Sequence, residues 1–286
     1  MTDLLNWFTE PLEFAFMQRA LVTAVICGLV CAVLSCWLTL LGWSLMGDAV
    51  SHAVLPGVVL SYAAGLPFAV GAFVFGTAAV AGVGALNRTS RVKEDAAIGI
   101  VFTGLFALGL VLVTVFPSQI DLMHILFGNV LGVSDGDIVQ AAIIGAVVLA
   151  VLLYKRRDLV LYAFDPTHAH AIGISPRRLE MLLLGAMALT VIIALQAIGI
   201  VLVVAMLITP GATAYLLTDR FDRMLVIASV AAVLACVVGT YLSYHQDWSP
   251  GGAIVCVLTL QFVLAYLFAP RGVVTRWWVE RRPVAA

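Results

Sequence analysis

The chain has 286 residues, of which 63% are hydrophobic and 11% charged, with a mean hydropathy of +1.11. No soluble domain hides that much apolar surface, so the composition excludes a soluble globular protein and points to a multi-pass membrane protein. The net charge of −1 gives no electrostatic footprint for nucleic acid.

Residues 1–18 set Trp7, Phe8, Phe14 and Phe16 among Asp3, Glu10 and Glu13, with no Lys or Arg before Arg19. A signal peptide needs a basic start, so this stretch is expected to lie in the membrane interface as an amphipathic lead-in. Nine apolar runs follow, approximately 20–41, 47–64, 67–86, 96–116, 138–154, 179–198, 200–217, 224–242 and 252–268. Each approaches the roughly 20 residues that cross a hydrocarbon core. The expected fold is all-α and polytopic, one membrane domain over 1–286 with about nine spans. Only Gly65 and Leu66 separate the second run from the third, so eight spans with one re-entrant piece is the alternative.

Basic residues orient the runs. Arg88, Arg91 and Lys93 follow the third, and Lys155, Arg156, Arg157, Arg177 and Arg178 lie between the fifth and sixth. Arg220 and Arg223 separate the seventh from the eighth, and Arg271, Arg276, Arg281 and Arg282 lie in a tail over 270–286. The positive-inside rule makes all four stretches cytoplasmic and places the N-terminus outside.

One stretch carries chemistry. Ser44-Leu45-Met46-Gly47-Asp48-Ala49-Val50-Ser51-His52-Ala53-Val54-Leu55-Pro56-Gly57 puts a carboxylate and an imidazole four residues apart within hydrocarbon-soluble surroundings. On a helix these share a face, with Cβ atoms about 5–6 Å apart. An ionisable group at membrane depth costs at least about 2.5–3.5 kcal/mol and marks an ion path. The competing reading makes Asp48 the N-cap of a helix starting at Ala49, with His52 bonded to a neighbouring carbonyl. Pro56-Gly57 and Pro210-Gly211 are expected to break or kink their spans.

The five cysteines, Cys27, Cys31, Cys36, Cys236 and Cys256, all fall in apolar runs. Cys27 and Cys31 share a face, but there is no CxxC pair and no His or acid lies between them, so they read as small buried hydrophobes. Between Lys155 and Arg178 lies Asp165-Pro166-Thr167-His168-Ala169-His170-Ala171-Ile172-Gly173. Asp165 as N-cap, Pro166 at N1 and Gly173 as a stop predict a short helix, either a docking element or a solvated connector. His168 and His170, two apart, do not share a face and make a poor metal pair. Glu94 and Asp95 suit the start of the following helix. Asp121, His124, Asp135, Asp137, His245 and Asp247 fall in connections assigned to the outside and read as solvated charges. No HExxH, P-loop or Gly-x-Ser-x-Gly elbow is present, so an enzyme has no nucleophile or activated water to stand on.

The run from Gly42-Trp43 through Asp48 and His52 to Pro56-Gly57 resembles the permease subunits of bacterial manganese, zinc and iron ABC importers. Glu94-Asp95-Ala96-Ala97-Ile98-Gly99, Asp165-Pro166 through Gly173-Ile174, and Thr209-Pro210-Gly211-Ala212-Thr213-Ala214 fit the same pattern, over roughly 12–270. The resemblance implies a type II importer permease in the bacterial inner membrane. Such a permease works as a homodimer with two cytoplasmic ATP-binding subunits and an external solute-binding protein. It implies that Asp48 and His52 coordinate the transported metal. It also implies that the loop over 155–178 holds the coupling helix for the ATPase, with Asp165, Pro166, His170 and Gly173 as its markers. Gly42-Trp43, where zinc permeases often carry Arg, resembles the manganese or iron branch. Mn²⁺ is therefore the expected cargo, with no permanent cofactor and ATP hydrolysis left to the partner. A proton-coupled secondary transporter and a structural subunit are the rival readings.

Overall fold

The computed structural model describes residues 9–66, 68–116 and 132–269, and every regular element among them is helical. The interfacial lead-in over 1–8, the tail over 270–286, and Asp121 and His124 lie outside the described residues. After a 3₁₀ turn at Glu10–Glu13 come α1 (Ala15–Leu41), α2 (Ser44–Ala53), α3 (Leu55–Ala63), α4 (Phe68–Thr89) and α5 (Glu94–Val115). They are followed by α6 (Asp135–Tyr154), α7 (Arg156–Phe164), α8 (Pro166–Ala171), α9 (Pro176–Ile198), α10 (Ile200–Leu217), α11 (Phe221–Gln246) and α12 (Pro250–Phe268). The lead-in is shorter than expected, because residues 15–18 already belong to α1 and Met17 is buried.

The bundle is built around α1. Its 27 residues span about 40 Å, and it packs against α6, α9, α10 and α11. Apolar side chains on all its faces suit a central helix, and Trp37 is fully buried against Phe221, ring centroids 4.9 Å apart. Gly42 ends it at φ +74°, which lets the Gly42 and Trp43 amides reach back to the Thr39 and Leu38 carbonyls.

The two prolines act differently. Pro56 offers no N–H to the carbonyl four residues back, that of His52, and the run parts at Val54 into α2 and α3. Pro210 sits inside an unbroken α10. Beside it, a Cβ at Gly211 would stand 2.5 Å from the Ser35 carbonyl oxygen, so only glycine lets α10 lie this close to α1. The α3–α4 contact is closer still. Gly57 and Gly71 meet backbone to backbone, and Ser61 Oγ accepts the Gly71 N–H at 3.0 Å.

Among the described residues, eight stretches are long and apolar enough to cross a membrane, one of them formed by α2 and α3 together. The ninth, α4, has 22 residues and an apolar middle over Val70–Leu86. Contacts between helix ends tie distant parts of the bundle together. Arg19, near the start of α1, pairs with Asp135 at the start of α6, Nε to Oδ1 2.9 Å. Phe14 stands against Tyr244, and Arg156 pairs with Asp222. Among the described residues this gives eight stretches with the length and hydropathy of a span, with α4 as a shorter apolar helix beside them.

Candidate metal path

Asp48 and His52 both lie within α2, which starts at Ser44, so Asp48 is not the cap of a helix beginning at Ala49. That reading is corrected: the helix starts a full turn earlier, after the Gly42 reversal. The turn is tightly held behind the pair. Ser51 is buried and donates to the Gly47 carbonyl at 2.8 Å, and Gly47 lies against Leu207 of α10, where an added Cβ would stand 3.0 Å from Leu207 Cδ1.

His52 Nε2 stands 3.4 Å from Asp48 Oδ1. With metal–ligand bonds of about 2.1 Å, two atoms at that separation subtend close to the tetrahedral angle. A slight closing of the pair gives the octahedral edge of about 3.0 Å. One ion can therefore take both without rebuilding the turn. His52 Nδ1 is buried and has no hydrogen-bond partner among the described residues. A buried polar atom left open is rare and asks for a missing partner.

The imidazole is fixed by two rings that sequence reasoning missed. Phe102 and Phe106 of α5 meet it edge-on, with centroid separations of 5.2 and 5.3 Å. The available signal was their own spacing, four residues apart on one helix face. On the other side the pair is open. Leu45, Asp48 and His52 form one stripe of α2, and their side chains are exposed or half-buried although residues 46, 47, 49–51 and 53 of that helix are buried.

The second predicted element is present as geometry. Asp165 caps α8 by accepting the His168 amide at 2.8 Å, Pro166 occupies the first turn, and Gly173 reverses the chain at φ +86°. His168 and His170 are exposed, and no group of three or more His, Cys, Asp or Glu that could hold a metal occurs among the described residues. Asp95 lies in the first turn of α5 and accepts the Ala96 amide. Of the acids read as solvated charges, Asp135 pairs with Arg19, and Asp137 closes a capping box with Ser134. Those two are structural.

A helical bundle with eight stretches long and apolar enough to cross a membrane is the architecture of a polytopic membrane protein. Residues 13–269 match the ABC 3 transport family, and the chain belongs to it. It is 56% identical to the manganese transport system membrane protein MntB of Synechocystis, covering 96% of this chain and 90% of that one. It is 49% identical to the chelated iron transport system membrane protein YfeD of Yersinia pestis, covering 94% and 90%. The fold superimposes on PsaBC from Streptococcus pneumoniae, solved in complex with a Fab, with a TM-score of 0.87 and 37% identity over 98% of this chain and 100% of that one.

Proposed function

We propose that this chain is the membrane-spanning half of an ATP-driven importer, and that it carries a divalent cation, Mn²⁺ first, past Asp48 and His52. The observation that carries the reading is the Asp48–His52 pair, 3.4 Å apart, on a stripe of α2 that the described residues leave partly uncovered. Two copies related by a twofold axis would present two carboxylates and two imidazoles. The carboxylates offset the +2 charge, and the four ligands suit a hard to borderline cation. Transport needs binding firm enough to admit the ion and weak enough to release it, and a site without thiolate meets that need. The chemistry of the pair serves iron or zinc as well. Manganese is put first because the 56%-identical relative belongs to a manganese transport system, and the Gly42-Trp43 lead supports the same order.

The end of the bundle bearing α7 and α8 is read as cytoplasmic, from its arginines. There α8, a capped exposed turn between two spans, is the element offered to a separate ATPase subunit. A solute-binding protein would deliver the ion at the opposite end.

Uptake of manganese, iron and zinc, compared in a host lacking its own importers, tests the cargo. ATP-dependent manganese uptake that disappears in Asp48→Ala and His52→Ala is the expected outcome. Wild-type uptake in either variant, or metal movement by reconstituted protein without ATP, overturns the reading. Gly173→Trp and Asp165→Arg should weaken co-purification with the ATPase and leave metal binding intact; unchanged co-purification refutes the docking role of α8.

A further inference from the structure

A groove of about 800 Å³ opens between α7 and the start of α11. Its walls are Val160, Leu161, Phe164 and Phe221; its rim carries Arg156, Arg157, Arg220 and Arg223, with Asp222 the one acid. Arg156 Nη1 binds Asp222 Oδ1 at 3.1 Å, so that carboxylate is already matched. Asp219 lines the adjoining hollow. Counting both acids against the four arginines leaves a net charge of +2. The nearby Lys155 is neutralised by Asp158, which accepts its ammonium at 3.0 Å and holds its pKa above the ordinary value.

Position and chemistry identify the occupant. The groove lies where α6 ends and α11 begins. At that level Tyr154 is 85% exposed, with the Lys155 ammonium 5.7 Å from its ring centroid. An exposed tyrosine beside a lysine at the end of a span marks the headgroup layer. A wall that is mostly apolar, under a rim of guanidinium groups, complements a molecule with a hydrocarbon tail and an anionic phosphodiester. Guanidinium forks pair with phosphate oxygens in two-point contacts. Basic pockets between spans at this level take lipid headgroups in just this way.

We propose that this groove is a binding site for one anionic phospholipid, with Arg157, Arg220 and Arg223 on the phosphate and Phe164 and Leu161 on the acyl chain. It stands independently of which ion the permease carries. The occupant ties α7, and through it the capped α8, to the start of α11.

The test uses the permease purified together with its ATPase subunit and stripped of loosely held lipid. Phosphatidylglycerol or phosphatidylcholine is added back, and retained lipid is counted by native mass spectrometry. The variant is Arg157→Gln with Arg223→Gln, which spares the Arg156–Asp222 pair. The control is Arg177→Gln with Arg178→Gln, at the same end but outside the groove. Phosphatidylglycerol should be retained in preference to phosphatidylcholine. The groove variant should lose it by about thirtyfold, the worth of two cationic contacts, and the control should not. Equal retention by wild type and groove variant overturns the proposal. So does displacement of the lipid by millimolar inorganic phosphate, which would mark a free-anion site. Loss of the ATPase from the groove variant with lipid retention unchanged also overturns it, by making the groove a protein contact.

Discussion

Two places in this bundle gather side chains of types that ligate metals elsewhere, and they are built in opposite ways. In the seam between α1 and α11, Cys27, Cys31 and Cys236 are near neighbours, each fully buried. The Cys236 thiol points at the Ala24 carbonyl, 3.2 Å away, and a Cβ on Gly28 would stand 2.9 Å from its sulfur. On α2, Asp48 and His52 stand on a stripe left half open, and His52 Nδ1 has no hydrogen-bond partner among the described residues. The thiols have the higher intrinsic appetite for a soft cation, yet they are closed off by packing. The carboxylate and imidazole are partly exposed. Exposure separates the two places more than ligand strength does.

The comparison breaks first at the open stripe. Asp48→Ala and His52→Ala should each lower metal uptake by at least about tenfold, since even a supporting residue around a metal is worth about that much. The folded complex should be recovered in wild-type amount, which separates lost chemistry from lost structure. The support beneath the stripe comes next. A valine at Gly57 would collide with the Gly71 carbonyl, and overpacking of this kind costs about 1–3 kcal/mol. Gly57→Val should therefore reduce thermal stability and yield, with Gly84→Ala, where nothing stands within 4 Å, as the harmless control. A lower melting temperature for Gly84→Ala than for Gly57→Val would refute the packing account. A smaller effect is expected from Phe106→Ala, which removes one of the two rings holding His52. Uptake at limiting metal should fall severalfold and recover at high metal, because the ligands remain and only their alignment is loosened. An unchanged concentration dependence would mean that the ring is core filling alone.

How much of this could be read from the sequence follows the kind of signal involved. Apolar run length located the spans, since crossing a fixed thickness of hydrocarbon is a local, countable demand. Asp48 and His52 stood out because ionisable residues at membrane depth are costly, and the capped α8 because Asp165, Pro166 and Gly173 each have a local role. Contacts between distant residues were illegible. Nothing in the chain near His52 names Phe102 and Phe106, fifty residues on. Nor does anything local pair Arg19 with Asp135, 116 residues further along the chain. The apolar runs begin three to five residues inside α1, α6, α9 and α11, because hydropathy breaks off at the polar residues near each start, Arg19, Asp135 and Asp137, Arg177 and Arg178, and Asp222 and Arg223. Pro56 and Pro210 look alike as dipeptides with glycine. Only the packing decides that one parts its helix and the other lies inside an unbroken one against α1.

The smallest effect is the one that tests the other half of the comparison. Cys27→Ala with Cys31→Ala removes two of the three neighbouring thiols while keeping residues small enough for the seam. If these sulfurs serve only as buried hydrophobes, metal uptake and metal selectivity should match the wild type. The cost should be confined to stability, at about 1 kcal/mol for each buried sulfur lost, by analogy with other single-atom truncations in a core. Thermal unfolding and uptake measured on the same preparation separate the two. A fall in uptake without a fall in stability would place the cysteines on the ion's route. Access would then no longer separate the proposed carboxylate–imidazole site from the thiols.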